Sequence, residues 1–193
     1  MRISGGRARG IPLAVPKGDA VRPATDGLRQ AAFSSLGAYV AGARFLDLFA
    51  GSGAYGLEAL SRGAAGGVFV EKNAKAAACL RQNLAAVCKS LGRDTADLEV
   101  RQADALTAPL EAGGVPDLVF IDPPYALIRT VAPGLFARLA VALAPKPDAL
   151  VVFEMPGEID LAPDGWVPVK RLGQGVRQPT VVFFTRRPPA PTA

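Results

Sequence analysis

Three glycines, Gly51, Gly53 and Gly56, stand between a short apolar run, Arg44–Phe49, and a segment that reads as a helix from about Ala54 to Ser61. The spacing is G-x-G-x-x-G, and no other feature constrains the chain as much. Glycine lets the turn adopt positive φ and lets a ligand approach the backbone. A strand, such a turn and a helix form the unit that opens the ligand crevice of an open α/β sheet. The rest of the chain alternates to match. Further strands are expected at Gly67–Glu71, Leu98–Gln102, Asp117–Asp122, Ala149–Glu154, Trp166–Arg171 and Thr180–Arg186. Helices are expected from Thr25 to about Tyr39, from Asn73 to about Leu91 and over about Val131–Leu143, the second with Leu80, Leu84, Val87 and Leu91 on its buried face. The last two strands are joined by Leu172–Pro179, too short for a helical crossover, and should form an antiparallel hairpin. The expected fold is α/β: a seven-stranded, mostly parallel sheet with helices on both faces and a C-terminal antiparallel hairpin. Residues 1–40 are expected to form a basic arm and a helix packed on the core, 41–187 the main domain, and 188–193 a disordered tail.

Two ligand classes suit the glycine turn: a dinucleotide or S-adenosylmethionine. Glu71 closes the second strand, where an acid can accept hydrogen bonds from ribose hydroxyls. Asp47, four residues before the glycines, favours S-adenosylmethionine, because a carboxylate there suits a cationic methionine amino group and repels a pyrophosphate. The alternative is that Asp47 stabilises its own turn. Ala50, Gly51, Ser52 and Gly53 form the cofactor turn itself, and Asp104 with Ala105, after the third strand, would receive the adenine.

A second motif, Asp122-Pro123-Pro124-Tyr125, directly follows the buried fourth strand. It is the D/N-P-P-Y/F tetrapeptide of amino-group methyltransferases. An exocyclic amine on a base is a poor nucleophile, because its lone pair is delocalised into the ring. The Asp122 carboxylate and the Pro123 carbonyl can accept its two hydrogens and release the lone pair, while the prolines hold the loop rigid. Tyr125 can stack on a flipped-out base.

Composition agrees with such chemistry. Histidine is absent from the 193 residues, which excludes histidine-based triads and histidine-ligated zinc. The two cysteines, Cys79 and Cys88, lie nine apart on one expected helix and cannot bridge. No metal is expected. No apolar run reaches about 18–20 residues, and the N-terminal Met1–Arg7 lacks a signal peptide's apolar stretch, so a cytoplasmic protein is expected. Charge is segregated. Residues 1–44 carry seven Lys/Arg against two Asp, and residues 165–193 carry five and no acid. The segment between carries fifteen acids against ten bases. Basic ends around an acidic centre suggest a polyanionic partner. Arg7, Arg9, Arg22, Thr25 and Arg29 are the candidate phosphate contacts on the arm side, with Arg2 beside them and Lys170, Arg171 and Arg177 opposite.

These segments resemble the RsmD family of bacterial methyltransferases, which modify the 2-amino group of a guanosine in 16S ribosomal RNA. The likeness starts at Arg2-Ile3-Ser4-Gly5-Gly6 with Gly10, passes through Arg22-Pro23-Ala24-Thr25-Asp26 and Arg29, and is tight over Gly56-Leu57-Glu58-Ala59-Leu60-Ser61-Arg62-Gly63-Ala64. It ends with Asp122-Pro123-Pro124-Tyr125. The chain departs from the family at Gly27, where a second arginine is common, and at Lys170-Arg171-Leu172-Gly173, which lacks an aromatic residue. The resemblance implies the Rossmann-like class I S-adenosylmethionine-dependent methyltransferase sheet. It also implies a ribosomal RNA partner, within the small subunit or an assembly intermediate, and a monomer. The rival readings are a DNA adenine or protein glutamine amino-methyltransferase and a non-catalytic RNA-binding assembly factor, with an NAD-dependent oxidoreductase more distant. Glutamine enzymes favour Asn where this chain has Asp122. DNA enzymes usually carry an added recognition domain, for which 193 residues leave little room.

Overall fold

Central strands of this chain are apolar at nearly every position because both of their faces are covered. The computed structural model describes residues 1–16 and 25–187, apart from the side chain of Thr25. Helix α1 spans Thr25–Leu36 and continues as a 3-10 turn over Gly37–Val40. Then come β1 (Arg44–Leu48), α2 (Ala54–Ser61), β2 (Gly66–Val70), α3 (Ala74–Leu91), β3 (Leu98–Arg101) and β4 (Leu118–Ile121). A second 3-10 turn, Tyr125–Leu127, leads into α4 (Ile128–Ala142), followed by β5 (Leu150–Pro156), β6 (Trp166–Leu172) and β7 (Pro179–Arg186).

The seven strands lie in the order β3-β2-β1-β4-β5-β7-β6. Pairings from β3 through β5 are parallel, while β7 pairs antiparallel with both β5 and β6. The expected mixed sheet and terminal hairpin are therefore present. Side-chain alternation sends Phe45, Phe69, Phe120 and Val152 to one core with the arm, α1, α2 and α3. Leu46, Val68, Val119 and Val151 go to the other, with Ile128, Leu135, Phe136 and Leu139 of α4. Pro168 sits on edge strand β6 at a register shift, where a missing N–H is tolerated.

Capping fixes α3. The Asn73 side chain accepts from the amides of Lys75 and Ala76, and Gly92 ends the helix at φ 66°. By composition alone, Tyr125–Ala142 is long and apolar enough to cross a membrane. Here Ile128, Ala132, Leu135, Phe136 and Leu139 pack on the sheet, while Leu127 and Val141 are exposed.

The N-terminal residues form a small hairpin closed by an Arg2–Pro12 bridge. Ile3, Ala8 and Leu13 are buried in the core. The hairpin is tied down by polar contacts as well. Ser4 donates its amide and its hydroxyl to Glu58 (both 2.8 Å), and the Ala8 amide donates to Ser61 Oγ (2.9 Å). Asn83 of α3 joins the arm to the glycine turn, its Nδ2 donating to the carbonyls of Ala14 and Ser52 (both 2.9 Å).

Most boundaries differ from the sequence reading by one or two residues, and two helix boundaries differ by three. Helix α1 gives way to 3-10 geometry at Gly37, which has φ 52°. Helix α4 begins at Ile128 instead of Val131, because the 3-10 turn carries the chain straight from the prolines into it. Arg22 and the tail 188–193 lie outside the described residues.

Candidate active site

The parallel strands β1 to β5 end on one edge of the sheet, and a cavity of about 960 Å³ opens there. That is where ligands bind in open α/β folds. Its volume is near the upper end for small-molecule sites.

The glycine turn forms one wall through Phe49, Ala50, Gly51 and Ser52. Gly51 has φ 54°, and a Cβ placed on it would meet nothing within 4 Å, so its backbone borders open space. Its amide donates to Glu71 Oε2 at 2.7 Å. Gly53, at φ 88°, does not line the cavity; a Cβ there would lie 2.2 Å from Leu80 Cδ1. A Cβ on Gly56 would strike Phe69 and Phe45. Gly51 thus shapes the cavity surface, while the other two let α2 pack closely on its neighbours.

Glu71 follows β2 and is oriented by two backbone donors, with Asn73 N reaching Oε1 at 2.6 Å. Asp104 and Ala105, beyond β3, also line the cavity. The Asp104 carboxylate pairs with Lys72 Nζ (2.7 Å) and accepts from Leu106 N (3.0 Å). The bond to Lys72, followed by that to Leu106, holds its pKa below the usual carboxylate range.

Asp122, Pro123, Pro124 and Tyr125 line the cavity directly beyond β4. The loop is tightened by the Leu127 amide bonding to the Pro124 carbonyl at 2.8 Å. The structure therefore gathers the tetrapeptide, Ala50–Ser52, Glu71 and Asp104–Ala105 around one cavity.

Asp47 is not among these residues. It is buried inside β1, and its Oδ2 accepts from the Gly56 amide at 2.9 Å. It ties β1 to α2 rather than facing a ligand. Burial pushes its pKa from 3.8 up to about 7; the Gly56 bond opposes the rise and nearby Glu71 adds to it.

Arg29 is also placed differently from expectation. Its side chain is 2% exposed, with Nη2 donating to the Arg2 carbonyl (2.7 Å) and Asp26 Oδ1 (2.9 Å), and Nε 3.6 Å from Glu58. A guanidinium committed to these partners clamps the arm and is not available to grip phosphate. Arg7 and Arg9 are exposed, as the docking expectation needs; the Arg7 amide is tied to the Ser61 carbonyl (2.7 Å), while its guanidinium reaches the Leu91 carbonyl at 3.4 Å. Arg171 donates to the carbonyls of Gly157 and Ile159.

Sequence reasoning missed Glu154 and Tyr55. Glu154 lines the cavity from β5 and accepts the Tyr55 hydroxyl at 2.7 Å. The available signal was an acid ending a buried apolar strand, as Asp122 does one strand away. With Glu71, Asp104 and Asp122, Glu154 brings the lining carboxylates to four, against Lys72 as the one lysine or arginine among the described lining residues. Such a cavity suits a cationic ligand and disfavours a pyrophosphate.

Known proteins supply an independent comparison. The chain is 39% identical over 125 residues to ribosomal RNA small subunit methyltransferase D of Escherichia coli strain K12, covering 65% of this chain and 60% of that relative. It is 31% identical over 179 residues to the Haemophilus influenzae protein of the same name, covering 91% and 90%. Among solved structures, the Escherichia coli protein yhhF superposes with a TM-score of 0.74 at 32% identity, over 96% of this chain and 97% of that one. A Salinibacter ruber RNA methyltransferase, solved with S-adenosyl-L-homocysteine, shares the fold at a TM-score of 0.58 and 20% identity, covering 91% and 97%. The family model described as "Conserved hypothetical protein 95" matches residues 1–182, and the chain belongs to that family, the RsmD family.

Proposed function

We propose that this chain transfers a methyl group from S-adenosylmethionine to the exocyclic 2-amino group of a guanosine in small-subunit ribosomal RNA. The observation that carries this reading is the sharing of one cavity by Asp122-Pro123-Pro124-Tyr125 and the Gly51 turn with Glu71. The names of the relatives support the same activity.

The residues present fit the cofactor. Gly51 leaves the backbone open to a close ligand, Glu71 offers a fixed carboxylate for ribose hydroxyls, and Asp104 with Ala105, lining the same cavity, would receive the adenine. The acidic lining favours a ligand carrying sulfonium and ammonium charges. When bound, S-adenosylmethionine supplies an electrophilic methyl group.

The chain's part is to make the amine nucleophilic. The Asp122 carboxylate and the Pro123 carbonyl accept the two amine hydrogens, drawing the nitrogen towards tetrahedral geometry. Two prolines and the Leu127–Pro124 bond keep these acceptors preorganised, so little reorganisation is needed as charge develops. Tyr125 stacks on the base, which has to leave its stack to bring the amine against the loop. After transfer, the Asp122 carboxylate holds the proton that the nitrogen loses. The enzyme works in this reading as a cytoplasmic monomer on the small subunit or an assembly intermediate.

The test is methyl transfer from labelled S-adenosylmethionine to small-subunit RNA and to subunits from a strain lacking the chain. Label in N2-methylguanosine is expected. Label found instead in methylated adenine of DNA or in glutamine of protein would overturn the reading.

A further inference from the structure

Glu154 has no part in the mechanism above, yet it occupies a costly position. It is 3% exposed, and a buried carboxylate is tolerated only where donors satisfy it. Its partner is well placed. Tyr55 is stacked on Phe120 at 5.4 Å between centroids, and from that packed position its hydroxyl reaches Oε2 at 2.7 Å. Burial, then the neighbouring Glu154 and Asp122 charges, push the Tyr55 pKa well above its usual value, so the hydroxyl stays a donor.

The sheet register explains why this acid matters. Strands β4 and β5 are parallel with Ile121 opposite Phe153, so Asp122, just past β4, and Glu154, two residues before the end of β5, come next in the register. Both line the cavity. A pair serving only stability would gain nothing by placing a second carboxylate on the cavity wall beside the first.

Guanine supplies the complement. Its Watson–Crick edge presents the N1–H directly beside the 2-amino group. With the amine hydrogens on Asp122 and the Pro123 carbonyl, the adjacent N1–H still needs an acceptor. We propose that Glu154, positioned by Tyr55, accepts the guanine N1–H and thereby selects guanine at the methylation site. This rests on the guanine reading above. A base whose N1 is unprotonated would point a lone pair at the carboxylate and be rejected, since a site built for a hydrogen bond discriminates strongly against an analogue that cannot form it. Drawing the N1 proton towards Glu154 also returns electron density to the ring, which makes the amine a better nucleophile.

The experiment uses RNA carrying either guanosine or 2-aminopurine at the mapped target, prepared by splinted ligation. The two bases share the 2-amino group, but 2-aminopurine has an unprotonated N1. For the wild-type chain, methylation of the 2-aminopurine RNA should be slower by about 10- to 100-fold, the size expected for one well-formed base contact. Glu154→Gln should slow the guanosine reaction while leaving the 2-aminopurine reaction unchanged or faster, because the amide can donate to N1. S-adenosylmethionine affinity by calorimetry and the melting temperature show whether the variant is folded. Equal wild-type rates on both RNAs would overturn the proposal on the unaltered protein, leaving the guanine-amine activity in place. So would a Glu154→Gln variant that slows both RNAs by one factor. A wild-type chain that methylates neither RNA would instead overturn the activity itself.

Discussion

Asp122 and Glu71 line the same cavity but answer to different measurements. In the proposed reaction Asp122 acts on an amine whose geometry changes, so its loss should appear in rate and not in cofactor affinity. Asp122→Ala is expected to lower turnover by about 100- to 1,000-fold, the usual cost of one preorganised polar group, with S-adenosylmethionine binding within a few fold of wild type. Asp122→Asn should lose less, because its amide oxygen still accepts; single-turnover kinetics with parallel calorimetry reads both. Glu71→Ala should do the reverse, weakening cofactor binding by roughly 1–3 kcal/mol as a charged hydrogen-bond partner is lost. Tight NADH binding with no affinity for S-adenosylmethionine would contradict the cofactor assignment. The tetrapeptide could be read from sequence because its residue types carry the chemistry wherever they fall after a strand. Glu154 left only a weak signal, an acid closing an expected apolar strand, because its proposed role depends on β5 lying beside β4. Arg29 misled for a related reason: a basic residue near a basic arm looks like a phosphate contact until Glu58 and Asp26 are seen to hold it.

The β1–turn–α2 unit has a built-in pH dependence. Asp47 binds its proton more tightly folded, at about 7, than unfolded, at 3.8. A raised acid of this kind contributes its full stability below about pH 4 and loses it as the pH rises to about 7, in total roughly 4 kcal/mol. Asp47→Asn keeps an acceptor for the Gly56 amide and carries no charge. Its stability relative to wild type should therefore improve steadily between pH 4 and 7 in denaturant titrations. A constant difference across that range would remove the buried charge from the account. Most elements were legible from sequence, since the strand runs and the 3.6-residue pattern of α3 are strong. The start of α4 was not: the prolines at 123 and 124 read as a break, and the 3-10 turn that bridges them leaves no periodic signal.

On the scale of the whole molecule, the charge map and the fold have to be read together. Charge alone placed phosphate attraction at the two ends of the chain. The structure divides the arm into a buried part, Ile3, Ala8 and Leu13 with the Glu58 clamp, and exposed Arg7 and Arg9. Docking and folding are therefore separable. Replacing Arg7 and Arg9 with Ala should flatten the salt dependence of RNA binding by about 0.7–0.9 in log–log slope for each phosphate that is no longer neutralised. Melting temperature and cofactor affinity should stay near wild type; an unchanged slope with a lower melting temperature would make these arginines part of the packing instead. Strand order, which sets Asp122 beside Glu154 and brings β7 between β5 and β6, lies beyond what periodicity encodes, because pairing partners far apart in sequence leave no local trace. The measurement that bears most directly on the central claim is mass spectrometry of small-subunit RNA nucleosides from a strain lacking this chain, complemented with the wild-type or the Asp122→Ala gene. The account predicts that N2-methylguanosine is lost at one position, restored by wild type and not restored by Asp122→Ala. Unchanged N2-methylguanosine in the deletion strain, or full restoration by Asp122→Ala, would contradict it.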